Sequence, residues 1–101
     1  MDMATKEQIA HYRDSSPAAI SRRLRAARTT VEPNQKAFAK MLELATTTYN
    51  SQEVKGAPRM EVLDFLYRNH RISPNFILFG EVYNLPADVQ DRLVAALRAA
   101  D

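Results

Sequence analysis

The sequence has no cysteine among its 101 residues. This excludes a disulfide framework and any metal site with thiolate ligands, because both need cysteine sulfur. Without cross-links, a chain of this length must be held by one modest hydrophobic core. We therefore expect a single folded unit in the reducing cytoplasm.

Long apolar runs are also missing from the chain. The N-terminal stretch MDMATKEQIAHYRDSS is polar and mixed in charge. A membrane-spanning helix needs about 20 consecutive apolar residues, and a secretory signal needs an apolar segment of about 7–15. We expect neither, and we predict no membrane partner.

Glycine is scarce, and its two positions are informative. Gly56 and Gly80 each follow a segment with helical periodicity, where a left-handed cap position favours glycine. Prolines begin such segments, where the missing N–H costs little. Four of the five prolines stand there: Pro17, Pro58, Pro74 and Pro86.

Apolar residues recur at helical spacing, and no long alternating segment indicates a strand. We predict an all-α fold of five or six helices. They begin at Ser16-Pro17, Asn34, about Thr46, Pro58, Ser73-Pro74 and Pro86. Residues 1–15 form either a mobile arm or a short extra helix, residues 16–83 the main domain, and residues 84–101 a C-terminal helix.

Positive charge is concentrated in one third of the chain. Residues 17–40 carry six arginines and lysines against the single carboxylate of Glu32, while residues 61–101 are weakly acidic. A basic block of this kind suits a polyanionic partner, but it also suits a solvated helix face. Arg22, Arg25 and Arg28 are open to both interpretations, and for each one the solvated face is the simpler.

The segment LELATTTYNSQEVKG, residues 42–56, follows one predicted short helix and contains the next. Two short helices with a tight connection are typical of a helix-turn-helix, whose second helix enters the major groove of DNA. We predict that Leu44 and Tyr49 face the core and that one threonine caps the helix. The predicted base-reading residues, of types that bond base edges, are Thr46, Thr47, Asn50 and Ser51.

Three groups of residues resemble the Cro and λ-repressor-like helix-turn-helix family. They are RLRAAR (23–28), a spaced set comprising Gln35, Ala39, Leu42, Leu44, Tyr49 and Glu53, and PRMEVLDFLYRNHRISPNFILFGE (58–81). The last group resembles the fourth and fifth helices of the phage and prophage regulators of this family, where a Pro-x-x-Glu helix leads to an Asn/Ser-Pro-aromatic ending. The resemblance covers roughly residues 20–81.

The resemblance implies that Gln35 bonds a DNA phosphate and buttresses the second helix, and that Glu53 is structural. We predict further phosphate contacts from Lys36, Lys40, Thr48 and Lys55, and Lys55 and the additional candidate Arg59 are the weaker ones. Two departures stand out. Glu43 replaces the turn glycine, so the turn either avoids a positive φ or carries strain. Gln52 occupies a position where the family prefers an apolar core residue.

We expect no enzyme, metal site or cofactor. His11 and His70 lie far apart without ligand spacing around them, and Glu61 and Asp64 lack an accompanying nucleophile or acid–base pair. The sequence therefore favours binding over catalysis.

The last segment, LPADVQDRLVAALRAAD, shows an apolar stripe. It either completes the monomer core or pairs with a second copy. One small domain touches few base pairs, so operator specificity generally needs two half-sites. We therefore predict a homodimer interface within about 74–98 that contains Phe76, Phe79, Val89, Leu93 and Leu97.

These observations predict a sequence-specific double-stranded DNA-binding transcriptional regulator. We expect a cytoplasmic, nucleoid-associated repressor that binds a partly palindromic operator as a homodimer. Two alternatives stay open. One is an antitoxin-like autoregulator with a protein partner, and the other is a helix-turn-helix used as a protein-interaction module.

Overall fold

A computed structural model describes residues 1–100, which form seven helices and no strand. The helices are α1 (Met3–Ile9), α2 (Pro17–Val31), α3 (Gln35–Met41), α4 (Thr46–Lys55), α5 (Met60–His70), α6 (Pro74–Phe79) and α7 (Ala87–Ala100). The all-α prediction is confirmed, but the described residues contain seven helices rather than five or six, since α1 adds one. Within these residues no helix has the length and apolarity to cross a membrane. Asp101, in the predicted C-terminal segment, lies outside the described residues.

Polar side chains begin four of the helices by accepting a hydrogen bond from a first-turn N–H. Pro17 and Pro74 occupy the first turns of α2 and α6, as predicted. However, α5 begins at Met60 rather than Pro58, and α7 begins at Ala87 rather than Pro86. The four caps are Asp2 to Thr5 N at 2.8 Å, Ser16 to Ala19 N at 3.2 Å, Asn34 to Ala37 N at 2.9 Å and Ser73 to Phe76 N at 3.2 Å.

Both glycines end helices in the left-handed conformation, as predicted: Gly56 has φ 63° and Gly80 has φ 74°. Gly56 also lies against the start of α2. A Cβ atom at Gly56 would stand 2.0 Å from the Pro17 carbonyl oxygen. The end of α4 is therefore packed directly against the backbone at the beginning of α2.

Helix α2 is the centre of the fold and packs against α3, α4, α6 and α7. Its apolar face buries Leu24 and Ala27. The core around it includes Phe38 of α3 and Tyr49 of α4, whose ring centroids lie 4.9 Å apart. This packing places α3 and α4 side by side at one end of the molecule.

Arg23 ties the N-terminal segment to this core. Its guanidinium is fully buried, and its N–H groups donate to carbonyls on two separate segments at 2.6–3.2 Å. Ala10, His11 and Asp14 supply the carbonyls before α2, and Ile77 and Leu78 those of α6. Of the two possibilities for residues 1–15, the structure has the short helix, α1, which packs against α7.

The residues predicted to form a dimer interface lie mostly inside the monomer. Phe76, Val89, Leu93 and Leu97 are between 0% and 1% exposed, because α2 and its neighbours cover them. These four residues complete the monomer core, which corrects their assignment to an interface. Only Phe79 of the predicted set remains accessible, at 44% exposure.

Candidate nucleic-acid interface

Helix α4 separates a polar face from a buried one. Successive helical residues are turned by about 100°, so Thr47 points almost opposite to Tyr49. Tyr49 is completely buried, whereas Thr47 and Asn50 are exposed. Thr46 and Ser51 are half-buried at the margins of the exposed side. We call Thr47, Asn50, Ser51 and Val54 the polar face of α4, since all but Val54 carry short polar groups.

Val54 is a member of this face that the sequence interpretation missed. It lies two turns after Thr47, and its side chain is 59% exposed. The i, i+7 spacing in the sequence is the signal that would have found it. An exposed valine beside threonine and asparagine adds an apolar contact point, of the kind that meets a thymine methyl group.

The first turn of α4 differs from the prediction. Its N-cap is Ala45, so no threonine caps the helix, and in the described part of the chain no side chain accepts a hydrogen bond there. All three threonines lie inside the helix, with Thr48 exposed. The first-turn N–H groups therefore present partial positive charge, which favours an anion.

Gln35 links α3 to the polar face of α4. Its Nε2 donates to Asn50 Oδ1 at 3.0 Å, across the connection between the two helices. Gln35 is half-buried and Asn50 is exposed, so the pair lies at the surface. The Asn50 side chain is thereby oriented by the first residue of α3 before any ligand is present.

Cationic side chains lie on both sides of the polar face. Lys36 and Lys40 are exposed on α3 and border a shallow depression that also contains Thr46. Lys55, at the end of α4, is exposed as well. Thr48 and Lys55 are turned about 80–100° from Thr47, on the side away from Asn50. The predicted phosphate contacts thus flank the polar face on two sides, with Lys36 and Lys40 carried by α3 and Thr48 and Lys55 by α4.

The connection between α3 and α4 carries backbone strain at Glu43. This residue has φ 57°, in the left-handed region that favours glycine. Its N–H donates to the Lys40 carbonyl at 3.0 Å, and the Leu44 N–H donates to the Ala39 carbonyl at 2.9 Å. Of the two alternatives for this turn, the strained one is present. Leu44 is half-buried below it.

A buried ion pair fixes α4 against α2. Arg28 Nε lies 3.1 Å from Glu53 Oε2, and Arg28 Nη2 lies 3.0 Å from Glu53 Oε1. Arg28 Nη1 also donates to the Pro33 carbonyl at 2.6 Å, which holds the start of α3. The suggestion that Arg28 solvates a helix face or clamps phosphate is therefore wrong. Arg25 stays exposed and lies 3.4 Å from the same carboxylate.

The electrostatics of this pair follow from burial and charge. Burial alone would raise the pKa of Glu53, but the hydrogen bonds and charge of Arg28 outweigh it and hold the pKa below its ordinary value. Burial raises the pKa of the neighbouring Tyr49 hydroxyl, so it stays neutral. The Tyr49 hydroxyl makes no hydrogen bond of good geometry with any residue from 1 to 100.

Gln52 is buried on α4, at 6% exposure. Its Oε1 accepts a hydrogen bond from the Arg59 N–H at 2.8 Å, and its own carbonyl accepts one from the Ala57 N–H at 3.0 Å. The sequence interpretation had no role for this residue. The structure shows that it holds the connection between α4 and α5.

The exposed sides of α3 and α4 carry hydrogen-bonding and cationic side chains. Among residues 1–100, no three histidine, aspartate or glutamate side chains come together as metal ligands. What α3 and α4 present is a neutral polar face between two cationic edges. No protein-family model, no curated protein and no solved structure matches this chain.

Proposed function

We propose that this protein is a sequence-specific double-stranded DNA-binding regulator in which α3 and α4 act as a helix-turn-helix. The polar face of α4 would lie in the major groove, with Thr47 at its centre. The observation that carries this proposal is the Gln35–Asn50 hydrogen bond. It orients an exposed amide on α4 from the neighbouring helix, which a merely solvated surface does not need.

The side chains of the polar face can pair with the groups that base edges present in the major groove. An asparagine can accept from adenine N6 and donate to N7 at the same time. The Asn50 Oδ1 uses one lone pair for Gln35 and keeps the second for a base. Thr47 adds a hydroxyl and a methyl group, with Thr46 and Ser51 at the margins. Together these groups give direct readout of a short sequence.

Phosphate contacts would fix the register of α4 in the groove. Lys36 and Lys40 serve one DNA strand, and Lys55 and Thr48 serve the other. Gln35 has a second N–H on Nε2 after bonding Asn50, which is free to reach a phosphate near α3. The N–H groups of the uncapped first turn of α4 carry partial positive charge, which favours a phosphate nearby.

The active form would be a homodimer on a partly palindromic operator. Adjacent half-sites on one face of DNA lie about 34 Å apart. The monomer measures 38 × 25 × 23 Å, so two copies on neighbouring half-sites can touch. The bound dimer would act as a repressor by occluding the operator. It would do so in the cytoplasm, in association with the nucleoid.

A second candidate is binding of a protein partner, as in an antitoxin-like autoregulator or an interaction module. Large apolar side chains outside the sequence of α3 and α4 are exposed, which favours it: Met60 at 75%, Tyr67 at 57% and Tyr83 at 55%. In an autoregulator these surfaces would bind protein while α4 binds DNA. An interaction module, in contrast, would not need α4 for DNA binding.

The deciding experiment is selection of bound fragments from random DNA by the purified protein, followed by binding at two salt concentrations. A two-fold symmetric motif, bound more weakly at high salt, is the expected result. Absence of any salt-dependent DNA binding would overturn the proposal and favour a protein-interaction module.

A further inference from the structure

Gln52 is a polar residue at a buried position. Its amide needs hydrogen-bond partners there, whereas an apolar side chain would need none. Its Oε1 accepts from the Arg59 N–H at 2.8 Å, but its Nε2 has no hydrogen-bond partner in the described chain. A buried amide with one unpaired end carries a desolvation cost. A methionine of similar size would avoid that cost, so the hydrogen bond to Arg59 is what distinguishes glutamine here.

That hydrogen bond lies at the start of α5. Gly56 is packed against the Pro17 carbonyl, which holds one end of the connection between α4 and α5. Gln52 holds the other end at Arg59, the N-cap residue of α5. Both ends of a short connection are thus attached to fixed parts of the fold. The path of residues 57–59 is set by these two attachments.

Helical geometry places this connection on one edge of α4. Gln52 is turned about 140° from Thr47, in the same direction as Lys55 at about 80°. The Arg59 backbone, bonded to Gln52, therefore lies on the Lys55 edge, and its side chain is exposed. The opposite edge of α4 faces α3, whose lysines are exposed there.

A helix in the major groove lies between two phosphate backbones, so it needs cationic partners on both edges. The lysines of α3 are carried by a helix, which holds them in place. On the other edge, Lys55 is the last residue of α4, but Arg59 precedes α5, so the placement of Arg59 depends on the connection. Gln52 is the side chain that fixes that connection to α4.

We propose that Gln52 is a positioning residue that holds Arg59 against the edge of α4 as a phosphate contact on the second DNA strand. This inference rests on the proposed DNA-binding function. Gln52 itself is buried and would not touch DNA. Its effect on binding would pass entirely through Arg59.

The test measures binding of the full-length protein to a random-sequence DNA duplex over a range of salt concentrations. The slope of log affinity against log salt reports the number of phosphates neutralised, at about 0.9 per contact. A variant that only lowers the folded fraction shifts the affinity without changing that slope. The slope therefore separates a lost phosphate contact from a loss of stability.

Four variants make the comparison. Arg59→Ala removes the charge and keeps the N–H, and Gln52→Met removes the hydrogen bond at similar volume. Each is expected to reduce the slope by about one. The double variant is expected to match the single ones, because both act on one contact. Ile77→Val, a core change in α6, serves as the control with an unchanged slope.

Three outcomes would overturn the inference, each in a distinct way. An unchanged slope for Gln52→Met beside a reduced slope for Arg59→Ala would show that Gln52 does not position the arginine. An unchanged slope for Arg59→Ala would show that Arg59 does not contact a phosphate. A wild-type protein without salt-dependent binding would overturn the proposed function, and this inference with it.

Discussion

Gln35 and Asn50 form a hydrogen bond of 3.0 Å between the first residue of α3 and the exposed side of α4. Fifteen positions separate them in the chain, so only the packing of α3 on α4 brings them together. The bond restricts the Asn50 amide in the free protein. It thereby reduces the side-chain entropy that is lost when Asn50 binds a ligand.

We expect Gln35→Ala and Asn50→Ala to be coupled in operator binding. Removing either partner deprives the other of its hydrogen bond, so the double variant should lose less than the sum of the single losses. A coupling energy of about 0.5–3 kcal/mol is typical of residues in contact. A double-mutant cycle of operator affinities measures it, and additive losses would contradict the coupling.

Thr47→Ala is expected to weaken binding to the selected operator by about 1–3 kcal/mol, with little effect on random DNA. The reason is that Thr47 lies at the centre of the polar face and meets base edges. Equal losses on both DNAs would contradict this role.

Lys36→Ala is the change to compare with Thr47→Ala, because Lys36 is a predicted phosphate contact. It should weaken operator and random DNA alike and lower the salt slope by about one, because phosphates carry no sequence information. Titrations of both variants against both duplexes at two salt concentrations provide the comparison. A loss confined to the operator would contradict the assignment of Lys36 to phosphate.

Glu43→Gly is expected to stabilise the protein by about 0.5–1 kcal/mol. The left-handed conformation of residue 43 costs residues other than glycine about 1–2 kcal/mol, and glycine avoids that cost. Glycine also loses more backbone entropy on folding, which offsets part of the gain. Urea unfolding measures the change. Glu43→Gln is the control, since it keeps the strain and removes only the charge. If both variants unfolded at the wild-type midpoint, the relief of strain would not exceed the added cost in backbone entropy, and the predicted stabilisation would be wrong.

Glu53→Gln is expected to destabilise the protein by about 3 kcal/mol at neutral pH, because Arg28 is then buried without a counter-charge. The pKa of Glu53 in the folded protein lies below its ordinary value of 4.5. Its stabilisation is therefore complete above about pH 4.5 and disappears as the pH falls through the folded pKa. The wild-type advantage should shrink accordingly below that pH.

Denaturant unfolding of both proteins between pH 7 and pH 3 measures this difference. Arg25→Gln serves as a control, since Arg25 is an exposed partner of the same carboxylate and should matter little. A pH-independent difference between wild type and Glu53→Gln would show that the Glu53 charge does not stabilise the fold.

Local signals predicted much of the fold. Ser16, Asn34 and Ser73 cap the helices that they were expected to cap, and Gly56 and Gly80 end theirs. Caps and left-handed ends depend on a few neighbouring residues, so the sequence carries them directly. The Thr-Thr-Thr run proved helical, but Ala45 rather than a threonine occupies the N-cap position, since all three threonines already lie inside α4.

The placement of the charged residues could not be predicted in the same way. Arg22, Arg23, Arg25 and Arg28 all follow one another on α2 and look alike in sequence. Arg23 is nonetheless fully buried among carbonyls of α6 and the segment before α2, and Arg28 is buried on Glu53. Their partners lie up to 55 positions away, so no local pattern marks them.

For this protein the sequence by itself determined the helical class, most helix ends and the outward direction of Thr47 and Asn50. These follow from caps and a period of about 3.6 residues, which are local properties. Tertiary structure alone decided that the stripe of α7 closes the monomer core, that Asn50 is held by Gln35 and that Gln52 holds Arg59. Each depends on which helix packs beside which, and that is settled by the whole core.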